Sequence, residues 1–154
     1  MKNCCFTGHR KVKITDELKA GLRSVLTELI EKGVTEFYAG GAVGWDMICE
    51  KTVLDLKQEY GEIHLHIIMP CPLDEQTQNW DLQQITEYRS IIERADSVEI
   101  VSENYSKDCM KKRNARLVEL ADVCVCYYKN KRSGTGQTVR MAEKKGIEVI
   151  NLYQ

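Results

Sequence analysis

The sequence predicts an α/β protein: a single Rossmann-like, three-layer domain with a mostly parallel sheet of about six strands flanked by helices. Three observations carry that expectation. Six short runs of β-branched, aromatic, apolar and cysteine residues recur along the chain. Between each pair lies a segment whose apolar residues repeat at helical spacing. Three strand ends run into glycine-bearing turns that open helices, at Thr7-Gly8-His9-Arg10, Ala39-Gly40-Gly41-Ala42-Val43-Gly44 and Ser133-Gly134-Thr135-Gly136.

Lys2 to Thr7 reads as the first strand. Thr15 offers an N-cap, Asp16 and Glu17 suit the first turn, and Leu18, Leu22, Val25, Leu26, Leu29 and Ile30 repeat at helical spacing until Gly33. Glu36 to Ala39 is the second strand, followed by a helix from about Val43 to Glu59 with Met47 and Leu54 on its apolar side. His64 to Met69 is the third strand, ended by Pro70 and Pro72. A polar loop precedes a helix marked by Trp80, Ile85, Tyr88, Ile91 and Ile92. Val98 to Val101 is the fourth strand, and a polar helix spans about Lys107 to Leu120. Val123 to Tyr128 is apolar or aromatic almost throughout, as a central strand covered on both faces must be. The turn at Gly134 opens a helix ending near Gly146, and Glu148 to Leu152 closes the sheet. The expectation is six strands and five helices in one domain over residues 1–154, with no repeat or linker.

Composition narrows the function. A net charge of -1 argues against a protein devoted to neutralising a nucleic-acid backbone, although it leaves room for a local basic patch. The 7 cysteines are odd in number and lack any C-x-x-C pair; most sit in apolar runs as small hydrophobes, which suits a reducing cytoplasmic compartment. No run approaches the roughly 20 apolar residues of a membrane span, and no signal peptide is evident. No metal site is expected: His64 and His66 share a strand face but lack a third ligand.

In a parallel sheet of this kind, ligands bind beyond the carboxyl ends of the strands. Helix starts there present unpaired N–H groups and partial positive charge, and glycine permits close backbone approach to a phosphate. Gly40, Gly41 and Gly44 fit such a turn without matching either the G-x-G-x-x-G or the Walker sequence. Asp46 in the following turn suits either the helix dipole or a hydrogen bond to a ribose. Ser133, Gly134, Thr135, Gly136 and Thr138 form the strongest anion cradle, with Lys129, Lys131 and Arg132 just before it. Thr7, Gly8, His9 and Arg10 add a third wall, where Arg10 suits bidentate pairing with a phosphate and His9 suits a donor or proton carrier. Arg113 and Asn114 bring polar groups to the apolar side of the fifth helix, and Trp45 offers a ring for stacking.

The order of Phe6-Thr7-Gly8-His9-Arg10, Gly40-Gly41-Ala42-Val43-Gly44-Trp45-Asp46, Pro70-Cys71, Trp80, Tyr88, Tyr105, Met110-Lys111-Lys112-Arg113-Asn114 and Ser133-Gly134-Thr135 resembles the YpsA-like branch of the SLOG superfamily, which groups DprA with the LOG phosphoribohydrolases. The resemblance implies a nucleotide or nucleotide-derived ligand at these turns, and superfamily habit adds a homo-oligomer. It also exposes a departure. LOG hydrolases carry a glutamate after their glycine-rich threonine stretch; if Thr138 matches that threonine, the glutamate position holds Met141, which cannot carry a proton. The expected function is therefore binding or sensing of a nucleotide-like small molecule, with no cofactor assigned. One alternative is an N-glycosidase using Arg113 with Asp46 or His9 as catalytic groups. The other is DprA-like binding of single-stranded nucleic acid through Lys111, Lys112, Lys129, Lys131 and Arg132.

Overall fold

The fold was analysed in a computed structural model that describes residues 1–129 and 132–153. It contains β1 (Asn3–Gly8), α1 (Asp16–Glu31), β2 (Glu36–Ala39), α2 (Trp45–Lys57), β3 (His64–Met69), α3 (Leu73–Gln76), α4 (Leu82–Arg94), β4 (Ser97–Ile100), α5 (Cys109–Leu120), β5 (Val123–Tyr127), α6 (Gly134–Lys145) and β6 (Glu148–Asn151). All six strands run parallel in the order β4-β3-β2-β1-β5-β6. The chain winds outward from β1 to β4, crosses back along α5, and finishes on the other side. The strand order therefore reverses between β1 and β5, where Cys5 lies opposite Cys124 and Gly8 opposite Tyr127.

Strand periodicity divides the core in two. Cys4, Phe6, Phe37, Leu65, Ile67, Val123 and Val125 face α1, α2 and α4, with Phe6 and Phe37 stacked at 6.0 Å. Cys5, Ile68, Cys124 and Cys126 face α5 and α6, against Leu117, Val118, Val139 and Ala142. All seven cysteines are buried free thiols, so they pack as small hydrophobes. Both faces of the one sheet are covered.

Three sequence expectations change. Among the described residues there are six helices: the polar loop after Pro72 contains α3, one turn too short to show a periodicity. Helix α2 is shorter than expected and has no apolar side as such, because Trp45 through Glu50 are all buried. Helix α4 starts at Leu82, where Asp81 and Gln84 form a capping box.

The amino ends of the strands are closed by polar pairs. Glu36 accepts from His64 Nδ1 at 3.1 Å and His66 Nε2 at 3.0 Å. Burial pushes the Glu36 carboxyl up, but the hydrogen bonds from His66, Thr35 and His64 prevail and hold it at about 2. Both histidines thus serve this hydrogen-bonded cluster, and among the described residues no group of His, Cys, Asp and Glu is arranged to hold a metal. No described helix is long and apolar enough to cross a membrane.

Candidate functional site

The carboxyl ends of β1 and β5 sit where the strand order reverses, and the turns beyond them enclose a cavity of about 260 Å³. Thr7, Gly8, His9 and Arg10 come from the β1 turn; Ala42 and Asp46 from the start of α2; Met110, Arg113, Asn114 and Leu117 from α5; and Ser133, Gly134 and Thr135 from the start of α6. The i, i+3, i+4, i+7 spacing of the α5 residues is one helical face, which explains why Arg113 and Asn114 occur beside apolar neighbours. A second groove of about 640 Å³ continues outward between the starts of α5 and α6, sharing Met110, Asn114 and Gly134 and edged by Lys107 and Lys111.

The cradle at α6 is narrower than the motif implies. Ser133 is the N-cap, and its hydroxyl accepts from Gly136 N–H at 3.0 Å. Thr138 is fully buried and donates to the Gly134 carbonyl at 3.1 Å. Gly136 and Thr138 therefore build the helix and do not line the cavity. The amides of Gly134 and Thr135, which line the cavity, have no carbonyl partner within the helix itself.

Gly40, Gly41 and Gly44 shape the wall without lining it. Gly41 has φ of +72°, and a Cβ there would collide with the Tyr88 hydroxyl. The Gly40 carbonyl accepts from Arg113 Nη1, and the Gly41 carbonyl accepts from Gln76 Nε2 at 3.1 Å. The turn that resembled a phosphate loop is instead held from below by side chains. Trp45 is also internal. It is fully buried, donates to the Val125 carbonyl at 3.4 Å, stacks on Tyr127 at 5.4 Å, and lies where any Cβ on Gly8 would strike it. It is not available to stack on a base. Tyr105 is exposed and away from the cavity.

His9 lines the cavity, but its Nε2 accepts the Lys129 backbone N–H at 2.9 Å. Burial, then the charge of Lys129, push its pKa down, so the ring is a neutral acceptor at physiological pH. It clips the β1 turn to the segment after β5, which replaces the expected proton-carrier role. Met141 packs on the α5–α6 side of the core and does not line the cavity. Lys112 pairs with Asp108 at 3.8 Å, and Lys131 lies outside the described residues.

Behind the cavity lies a buried polar group that sequence reading largely missed. Arg113, 5% exposed, donates from Nε to Asn114 Oδ1 at 2.8 Å and from Nη2 only to the Met110 thioether at 3.6 Å. Asp46, 6% exposed, accepts the Ala42 N–H through Oδ2 at 3.3 Å, and its Oδ1 has no partner. Burial pushes Asp46 up to about 6, against the opposing pull of Arg113 and, more weakly, Arg10. Glu50, one turn on, is fully buried with both oxygens unpartnered; burial and the adjacent Asp46 push its pKa well up. Gln76 Oε1 and the Tyr88 hydroxyl are likewise buried and unpartnered. With Arg113 as the buried cation, Glu50 is the member held neutral and Asp46 the one that presents charge to the cavity. Its signal in the sequence was a glutamate at i+4 from Asp46 inside an otherwise apolar helix.

A hollow of about 240 Å³ on the far side of Tyr127, lined by Lys13, Thr15, Glu17, Leu18, Gly21 and Leu152, contains no buried unpartnered polar side-chain atom. The cavity between β1 and β5 does, and it is the candidate site.

Comparison with known proteins agrees with this architecture. The chain is 25% identical over 138 residues to UPF0398 proteins of Bacillus thuringiensis (strain Al Hakam) and Bacillus cereus (strain AH187), covering 88% of this chain and 74% of each relative. Its fold is similar to that of DNA processing protein A from Helicobacter pylori, known for its single-stranded DNA binding mode (TM-score 0.66, 20% identity), and from Streptococcus pneumoniae (TM-score 0.67, 16% identity). Those alignments cover 97% of this chain but only 64% and 50% of the two larger proteins. The family model YpsA, described as the YspA SLOG family, matches residues 4–151. The chain belongs to the YpsA family of the SLOG superfamily.

Proposed function

We propose that this protein binds a nucleotide or nucleotide-derived small molecule in the cavity between the ends of β1 and β5. The observation that carries the reading is the convergence of two kinds of group on one small space. Arg10 and the first amides of α6 suit a phosphate. Asp46, which lines the same space and whose Oδ1 makes no hydrogen bond, suits a donor on the same ligand. Binding rather than cleavage is favoured because, if Thr138 matches the LOG threonine, the glutamate position is held by Met141, which packs on the core. Thermal denaturation with a panel of nucleotides tests it. A ligand at 100 times its Kd raises stability by about 2.7 kcal/mol, and Arg10→Ala abolishes the effect. No stabilisation by any nucleotide or nucleotide sugar refutes the reading.

A second reading is single-stranded nucleic acid along the outer groove. It is supported by Lys107 and Lys111 at the groove's edge and by the DNA binding of the Helicobacter pylori protein of similar fold. It predicts retention of oligonucleotides that falls steeply with salt and with Lys111→Glu. Retention unaffected by either change counts against it.

A further inference from the structure

The interior of the cavity specifies more than an anion. At about 260 Å³ it lies below the roughly 300–1,000 Å³ typical of sites enclosing a whole drug-sized ligand. It continues through Met110, Asn114 and Gly134 into the wider outer groove. Phosphate and sugar fit the enclosed part, and a base has room in the open part. Along the enclosed wall, Asp46 is the anionic acceptor. Ala42 N–H holds Oδ2 and the Gly40 amide lies close by, while Oδ1 is buried and makes no hydrogen bond of good geometry. A buried carboxylate oxygen left without a donor is costly, so a ligand that supplies one gains selectively over a ligand that does not.

We propose that Asp46 Oδ1 accepts a hydrogen bond from the 2′-hydroxyl of a nucleoside 5′-phosphate, which makes the site selective for ribonucleotides over deoxyribonucleotides and tolerant of the base. This rests on the nucleotide-binding reading above. Arg10 and the Gly134 and Thr135 amides take the phosphate; Asp46 reads the sugar from the start of α2. The Asp46→Asn variant keeps the side-chain shape. Its carboxamide oxygen stays on the Ala42 N–H, and its NH2, turned to the cavity, can still donate to a hydroxyl; Asp46→Ala removes donor and acceptor alike and is the deciding variant.

The test is calorimetric titration of the wild-type protein with AMP, GMP, CMP and UMP, their 2′-deoxy counterparts, and inorganic phosphate. The ribonucleotides bind roughly 10- to 100-fold more tightly than their deoxy counterparts, with little spread among bases. Asp46→Ala reduces that ratio to about twofold or below, while inorganic phosphate is still bound. Asp46→Asn serves as a second variant, and the wild-type ratio alone decides the case if neither variant folds. Equal binding of ribo and deoxy forms, or a preference that survives Asp46→Ala, overturns the assignment while the nucleotide reading stands. Absence of binding by every nucleotide and by phosphate overturns both.

Discussion

The two ends of the sheet handle buried charge in opposite ways. At the amino ends, polar groups close on one another. Glu36 is shared by His64 and His66; Asp96 takes the Leu65 N–H at 2.8 Å and pairs with Lys57; Asp122 takes the Lys2 and Asn3 amides, each at 2.9 Å. At the carboxyl end, five of the six buried unpartnered side-chain atoms among the described residues gather around the turn after β2. The sixth, Asn3 Oδ1, is at the amino end. A polar group satisfied inside the fold contributes to stability, whereas one held buried without a partner costs stability and is positioned for something else. The amino end holds the sheet, and the carboxyl end carries the proposed ligand site.

The largest expected effect comes from Arg113→Ala. It leaves Asp46 and Glu50 buried without their cation, costs about 3–5 kcal/mol, and lowers the denaturant midpoint accordingly. At the other end, Glu36→Gln removes a carboxylate that folding favours and costs on the order of 2 kcal/mol at neutral pH. Because the folded Glu36 pKa of about 2 lies below its ordinary 4.5, its contribution is present above pH 4.5 and lost as pH falls toward 2. Stability measured across that window should flatten in the variant. Lys145→Met is the next smaller change. The Lys145 ammonium donates to the Val118, Glu119 and Ala121 carbonyls at 2.8–2.9 Å, closing the end of α5. Losing it costs about 1 kcal/mol, read as a lower Tm with ligand affinity unchanged.

The smallest and sharpest contrast is Glu50→Gln. Here the folded pKa lies above the ordinary 4.5, so the contribution is complete below pH 4.5 and is lost as pH rises. A neutral isostere avoids that loss. Glu50→Gln should match wild type at pH 4 and equal or exceed it at pH 7.5 in thermal unfolding. A loss of stability at pH 7.5 comparable to that of Glu36→Gln would erase the distinction between the two ends.

The strands and their order class were legible because each strand is a contiguous run, and strict alternation with helices leaves a doubly wound parallel sheet as the favoured topology. The cavity walls were legible for a related reason: the turns after β1 and β5 and the start of α2 lie at strand ends, and strand ends are where such folds bind. What escaped depended on contacts distant in sequence. Trp45 looked available until β5 was laid across it. His9 looked reactive until the Lys129 amide came to its ring. Gly40 and Gly41 looked like a phosphate loop until Arg113 and Tyr88 filled the space beneath. The α4 start was different, since the Asp81–Gln84 spacing was a readable cap that the aromatic Trp80 obscured.

The most direct measurement is a backbone amide chemical-shift map on titration with AMP. The account predicts the largest changes at Gly8, Arg10, Ala42, Asp46, Gly134 and Thr135, with Glu36, His64 and His66 unmoved. Shifts centred on Glu36 and the amino ends of the strands, or no shifts at saturating nucleotide, would contradict it.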